Sequence, residues 1–155
     1  MSVAEYKGRR YDVLALQGAK PRGEALLQQQ LFSEVSYGEI CTGIQKLSQR
    51  FVMEFCTISG SMPFARDRGC RFMREFYNGR LRTEGQIRTV FGFSEVEIGR
   101  NLRAEEDDTM PDDERYDFAE LLGVAIVPNL IRIDIGVVSL AGSNRSVILP
   151  LPYTV

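Results

Sequence analysis

The chain has 155 residues, 44% of them hydrophobic and 26% charged, with a formal net charge of −2 and no histidine. That length suits one domain with room for a buried core. The missing histidine excludes a Cys/His zinc site and every Ser-His or Cys-His nucleophile pair, leaving only carboxylate, Lys or Tyr chemistry.

No apolar run reaches the roughly 18 residues of a membrane span. The first residues, MSVAEYKGRRYDVLAL, lack the apolar stretch of a secretory signal. A reducing cytoplasm is the expected place of synthesis. The three cysteines, Cys41, Cys56 and Cys70, form no C-x-x-C pair. Cys41 and Cys56 are expected as small core residues.

Charge is unevenly spread. Residues 61–103 hold nine Arg against five acids, and residues 104–120 hold nine acids against Arg115 alone. Sixteen of the 19 basic residues are Arg. Arg favours fixed, bidentate ion pairs and interfaces.

In chain order, residues 1–23 are basic and Gly-rich and read as an extended N-terminal arm. Residues 24–155 form one α+β domain. Residues 24–37 read as a short helix or an extended segment. Ile40, Ile44, Leu47, Phe51, Val52 and Phe55 then trace one stripe at helical period, predicting a helix over 40–57. Lys46, Ser48, Gln49, Arg50 and Glu54 fall on its polar face, with Arg50 and Glu54 placed for an i,i+4 ion pair.

Gly60 and Pro63 mark a loop over 58–68. Gly69 opens a short helix to Tyr77, closed by Asn78-Gly79. Thr83 and Gln86 have capping-box spacing. The helix they start carries Ile87, Val90, Phe91, Ser94, Ile98 and Leu102 on one side and runs to about Ala104. Gly92 and Gly99 fit close helix packing, with no phosphate-loop pattern.

Residues 105–115 are an acidic linker, closing a helical region of 40–104. They lack the central glycine of a calcium loop and read as a solvated acidic loop. Beyond them the period becomes alternating. Strands are predicted over 118–127, around Ile131, Ile133, Ile135 and Val137, and around Val147, Leu149 and Leu151. Residues 118–152 thus make a three-stranded antiparallel meander. Pro150 and Pro152 place the last strand's end at an edge.

Arg66, Arg68, Arg71 and Arg74 cluster around Gly69. A pI near 5.3 does not suit a nucleic-acid binder. Protein–protein salt bridges, or internal pairing with Glu75 and the acidic loop, are expected. The terminal hairpin offers an edge to which another chain can add a strand.

The run Thr57-Ile58-Ser59-Gly60-Ser61-Met62-Pro63-Phe64-Ala65-Arg66-Asp67-Arg68-Gly69 after a helix resembles the contractile-tail bacteriophage baseplate wedge, or sheath-initiator, family, historically labelled lysozyme-like. Gly43-Ile44-Gln45-Lys46-Leu47 and the run 101–108 are similar to such tail proteins, as is the order of elements over residues 40–152. The family's Glu-Pro-Arg element has its nearest counterpart in Asp113-Glu114-Arg115, which lacks the proline.

The resemblance implies a structural, non-enzymatic virion protein, assembled in the host cytoplasm and set in a ring around the tail tube. Its implied partners are the tail sheath protein, baseplate wedge proteins and tube or hub proteins. No nucleic acid, membrane, metal or cofactor is implied. The docking hairpin would comprise Ile131, Arg132, Ile133, Asp134, Ile135, Val137, Arg145, Val147, Ile148, Leu149 and Leu151, with Arg66, Arg68 and Arg71 as interface arginines. Two alternatives stand beside this. One is another tail adaptor or completion protein. The other is a carboxylate-based peptidoglycan hydrolase, for which the sequence shows no paired-carboxylate pattern.

Overall fold

The structure, a computed structural model, describes residues 10, 12–13, 16–18, 25–27 and 40–152. The arm expected over 1–23 and the segment expected over 24–37 lie largely outside these residues. Their described parts are strands β1 (Asp12–Val13), β2 (Leu16–Gly18) and β3 (Ala25–Leu27). β2 pairs with β3, and β1 pairs antiparallel with β4 (Ile40–Cys41).

Helix α1 spans Gly43–Cys56. It begins later than the apolar spacing predicts because Ile40 and Cys41 pair with Val13 and Asp12 as strand β4. Its stripe of Leu47, Phe51, Val52 and Phe55 is fully buried. Each such side chain contributes about 1.5–3 kcal/mol relative to exposure. Helix α2 is the single turn and a half Phe72–Tyr77. It starts after Gly69 because Cys70 is held in a bridge to Ile58. Helix α3, Glu84–Ala104, opens on the expected capping box. Thr83 Oγ1 accepts the Gln86 N–H at 3.3 Å and Gln86 Oε1 accepts the Thr83 N–H at 3.1 Å.

After the helices come β5 (Tyr116–Val127), β6 (Leu130–Ser139) and β7 (Asn144–Pro152), an antiparallel sheet in the order β5-β6-β7. Asn129, at φ 63, turns β5 into β6, a conformation Asn tolerates. The fold is α+β, as the alternating C-terminal pattern predicts. Ile131, Ile133, Ile135 and Val137 of β6 face the helices and are buried with Val147, Leu149 and Leu151 of β7. Phe118 and Leu122 of β5 stay exposed.

Aromatic rings tie α1 to the sheet and to α2. Phe51 stacks on Tyr116 at 6.0 Å between centroids, and Phe55 meets Phe72 at 4.6 Å. The Tyr116 ring lies against α3 where a Cβ on Gly99 would approach its Cε1 to 2.9 Å. Gly99 thus admits a strand aromatic rather than a second helix. Gly92, expected to permit close packing, faces open space. Cys41 and Cys70 are buried, but Cys56 is exposed, contrary to the expectation that it fills core.

Candidate functional site

The loop between α1 and α2 is built around one carboxylate. Glu54 lies in the last turn of α1 and is only 4% exposed, although its charge predicts a surface position. Its Oε2 accepts the Gly69 N–H at 2.8 Å and Asn101 Nδ2 at 3.0 Å. Its Oε1 meets Arg68 Nε at 2.7 Å. The expected Arg50–Glu54 pair gives way to Arg68–Glu54 and to Arg50–Glu105 at 3.0 Å. A charged group buried without such partners would be strongly destabilising.

The two ends of the loop are joined directly. The Cys70 N–H donates to Thr57 O at 2.9 Å and the Ser59 N–H to Cys70 O at 3.1 Å, making the parallel bridge Ile58–Cys70. Gly69 sits at φ 83, and a Cβ there would stand 2.4 Å from Thr57 O. The loop tip projects outward, with Phe64 fully exposed and Met62 46% exposed.

The acidic segment is solvated at Glu105, Asp107, Asp108 and Asp112, as expected, but not at its end. Glu114 is 1% exposed. Its carboxylate accepts the Gly43 N–H at 3.1 Å, capping α1, and Lys46 Nζ at 2.8 Å. The Thr42 side chain makes no cap bond. Glu105 pairs with both Arg50 and Arg68. Glu106 accepts the Tyr116 N–H at 2.6 Å. A pocket of about 520 Å³ lies beside these pairs, lined among others by Asp12, Lys46, Arg50, Met110 and Glu114. Its carboxylates Glu114 and Glu105 are already held by cations, so their geometry is that of staples between the acidic segment and α1.

The predicted docking residues divide between two strands. Ile131, Arg132, Ile133, Asp134, Ile135 and Val137 lie on β6, the central strand, whose backbone is paired on both sides. None of them can take an added strand. Arg132 and Asp134 face away from the core and pair at 3.3 Å. Arg145, Val147, Ile148, Leu149 and Leu151 lie on β7, an edge strand of this sheet.

The β7 ladder runs unbroken to Leu130–Pro152 through two residues that have no N–H. Pro150 and Pro152 therefore occupy the alternate set whose backbone points away from β6. Asn144, Ser146 and Ile148 belong to the same outward set and carry both donor and acceptor. Among the described residues no strand pairs with this edge, which carries donors and acceptors over 144–148 and acceptors only beyond. Strand β3 approaches β7 without hydrogen-bonding to it.

Of the three predicted interface arginines, Arg66 is exposed. Arg68 is turned inward to Glu54 and Glu105. Arg71 holds Glu97 with its backbone N–H at 2.9 Å and its guanidinium at 2.6 Å. That partnership raises the Arg71 pKa above its ordinary value. Sequence reasoning singles out Lys46, Glu54 and Glu114 but not their burial, which only the tertiary contacts create. It gives no role to Phe64, whose signal is an aromatic between a proline and an arginine in a Gly-bounded loop.

The chain matches no protein-family profile, no curated protein and no solved structure.

Proposed function

We propose that this chain is a non-enzymatic assembly protein of a contractile phage tail baseplate, a sheath initiator whose β7 edge receives a strand from the first sheath subunits. One observation carries the reading. β7 closes the β5-β6-β7 sheet with an outward row of donors and acceptors over 144–148. Its inward residues Val147, Leu149 and Leu151 are locked in the core. A rigid edge of this kind suits β-augmentation, in which main-chain hydrogen bonds join two chains. The partner is a tail sheath protein, with wedge and tube proteins as further neighbours in a ring.

The test is co-expression of the full chain with a contractile-tail sheath protein. Ile148→Pro removes one outward N–H and leaves the β6–β7 ladder intact. The expected result is loss of sheath co-sedimentation with an unchanged thermal melt. Sheath recruitment that survives Ile148→Pro and Ser146→Pro overturns the strand-addition reading. A chain that joins the assembled tail but binds no sheath is a different tail adaptor.

A further inference from the structure

The edge of β7 has a neighbour from its own chain. β3 is the nearer strand of the β2–β3 ribbon, with Cα atoms within 8 Å of β7 and no ladder hydrogen bond to it. Sheets packed face to face stand about 10 Å apart, and paired strands about 4.8 Å. β3 is therefore closer than a stacked layer and holds the ground that a fourth strand would take. A strand set between the two needs both spacings, about 9.6 Å, which is more than the gap provides. A strand that pairs with β7 has to displace β3.

Little holds β3 in that place. It is three residues long, and its only ladder among the described residues is with the three residues of β2. A two-stranded ribbon is marginal in water by itself. The outward groups of β7 over 144–148 stay unpaired beside it, so β3 makes none of the main-chain bonds that a partner strand would make. The chain is anchored on both sides of the ribbon, where Asp12 and Val13 pair with Cys41 and Ile40. Departure of β3 therefore leaves β4 and α1 in place.

We propose that β3 is a placeholder: in the free chain it occupies the approach to the β7 edge, and it gives way when a partner strand pairs over 144–148. Until then it shields an edge that would otherwise template pairing between copies. The inference rests on the reading of β7 as a strand acceptor and adds a displacement step to it.

The test places the photo-crosslinking residue p-benzoylphenylalanine at Leu26 of the full chain. Irradiated alone, the chain should yield an internal product joining position 26 to residues 144–152. A product that lands elsewhere overturns the proposal. The irradiated chain, part of it crosslinked, is then mixed with a contractile-tail sheath protein. The sheath-bound fraction should be depleted of the internal product about tenfold against the unbound fraction, because a tied β3 leaves the edge incompetent. Equal shares of the product in both fractions overturn the proposal and make β3 a fixed part of the domain. A chain that takes no sheath even before irradiation overturns the strand-addition reading itself, and the displacement step falls with it. Where position 26 lowers the thermal melt, the same residue at Leu27 repeats the measurement.

Discussion

The Glu54 carboxylate accepts the Gly69 N–H at 2.8 Å, closing a loop of fifteen residues onto the end of α1. The bond needs the left-handed backbone of Gly69 and the absence of a Cβ beside Thr57 O. Helix end, loop and the start of α2 are thereby one unit, and the orientation of the Phe64 tip is set by it.

Gly69→Ala should therefore be costly. The substitution combines left-handed strain with backbone contact at 2.4 Å, and about 2–4 kcal/mol is expected. Gly60→Ala is the comparison, since Gly60 has φ 81 but open space around it. It should cost only the left-handed penalty, about 1–2 kcal/mol. Urea unfolding of both variants checks the difference. Equal losses would mean that the contact with Thr57 relaxes freely.

The Lys46–Glu114 pair gives a second test. Both side chains are buried, and Glu114 also caps α1. Lys46→Met leaves a buried carboxylate with one partner fewer, and about 3–5 kcal/mol of destabilisation is expected. Adding Glu114→Gln removes the stranded charge and keeps an oxygen for the Gly43 N–H. The double variant should therefore be more stable than Lys46→Met alone by about 1 kcal/mol or more. Denaturant midpoints of the wild type, both single variants and the double variant measure this.

What was legible in the sequence was local. The Thr83–Gln86 capping box, the α3 stripe and the alternation of β6 depend on residues three, four or two apart. What was not legible depended on distant partners. Lys46 and Glu114 are 68 residues apart, and Gln49 reaches Asp12 across 37. Charge alone assigns such residues to the surface, and only the tertiary contact buries them. The start of α1 differs from the apolar spacing for the same reason, because pairing with β1 takes Ile40 out of the helix. At the β7 edge the prolines did mark the strand's exposure. The alternation of the neighbouring β6 does not show that it is central, because a central and an edge strand share one alternation.

Thiol labelling separates the cysteines. Cys41 and Cys70 are buried, and burial pushes each thiol up to about 11. Cys56 is exposed. Burial raises the Cys56 thiol as well, but its surface position makes it the first that a reagent should modify at pH 8, the other two reacting only as the domain opens. Cys56→Ser should remove the fast phase entirely, measured as absorbance against time with and without urea. A fast phase persisting in that variant would place Cys41 or Cys70 at the surface.

Tyr116 should make stability fall at alkaline pH. Its ring is buried between Phe51 and α3, and its hydroxyl donates to Glu95 Oε1 at 2.6 Å. Burial first, and then Glu95, raise its pKa far above the ordinary tyrosine value of 10.0. The folded state thus holds this proton more tightly than the unfolded chain does. The contribution is complete below pH 10 and is lost as pH rises past it, at about 1.4 kcal/mol per pH unit. Cys41 and Cys70 act in the same direction, with their loss falling between 9.0 and about 11. Tyr116→Phe retains the ring and deletes the ionisation. At pH 7 it should cost about 1 kcal/mol for the lost hydrogen bond to Glu95. Above pH 10 its stability should fall less steeply than that of the wild type, so the two curves converge. Urea midpoints between pH 8 and pH 11 measure this. Parallel curves would mean that Tyr116 ionises alike in the folded and unfolded states.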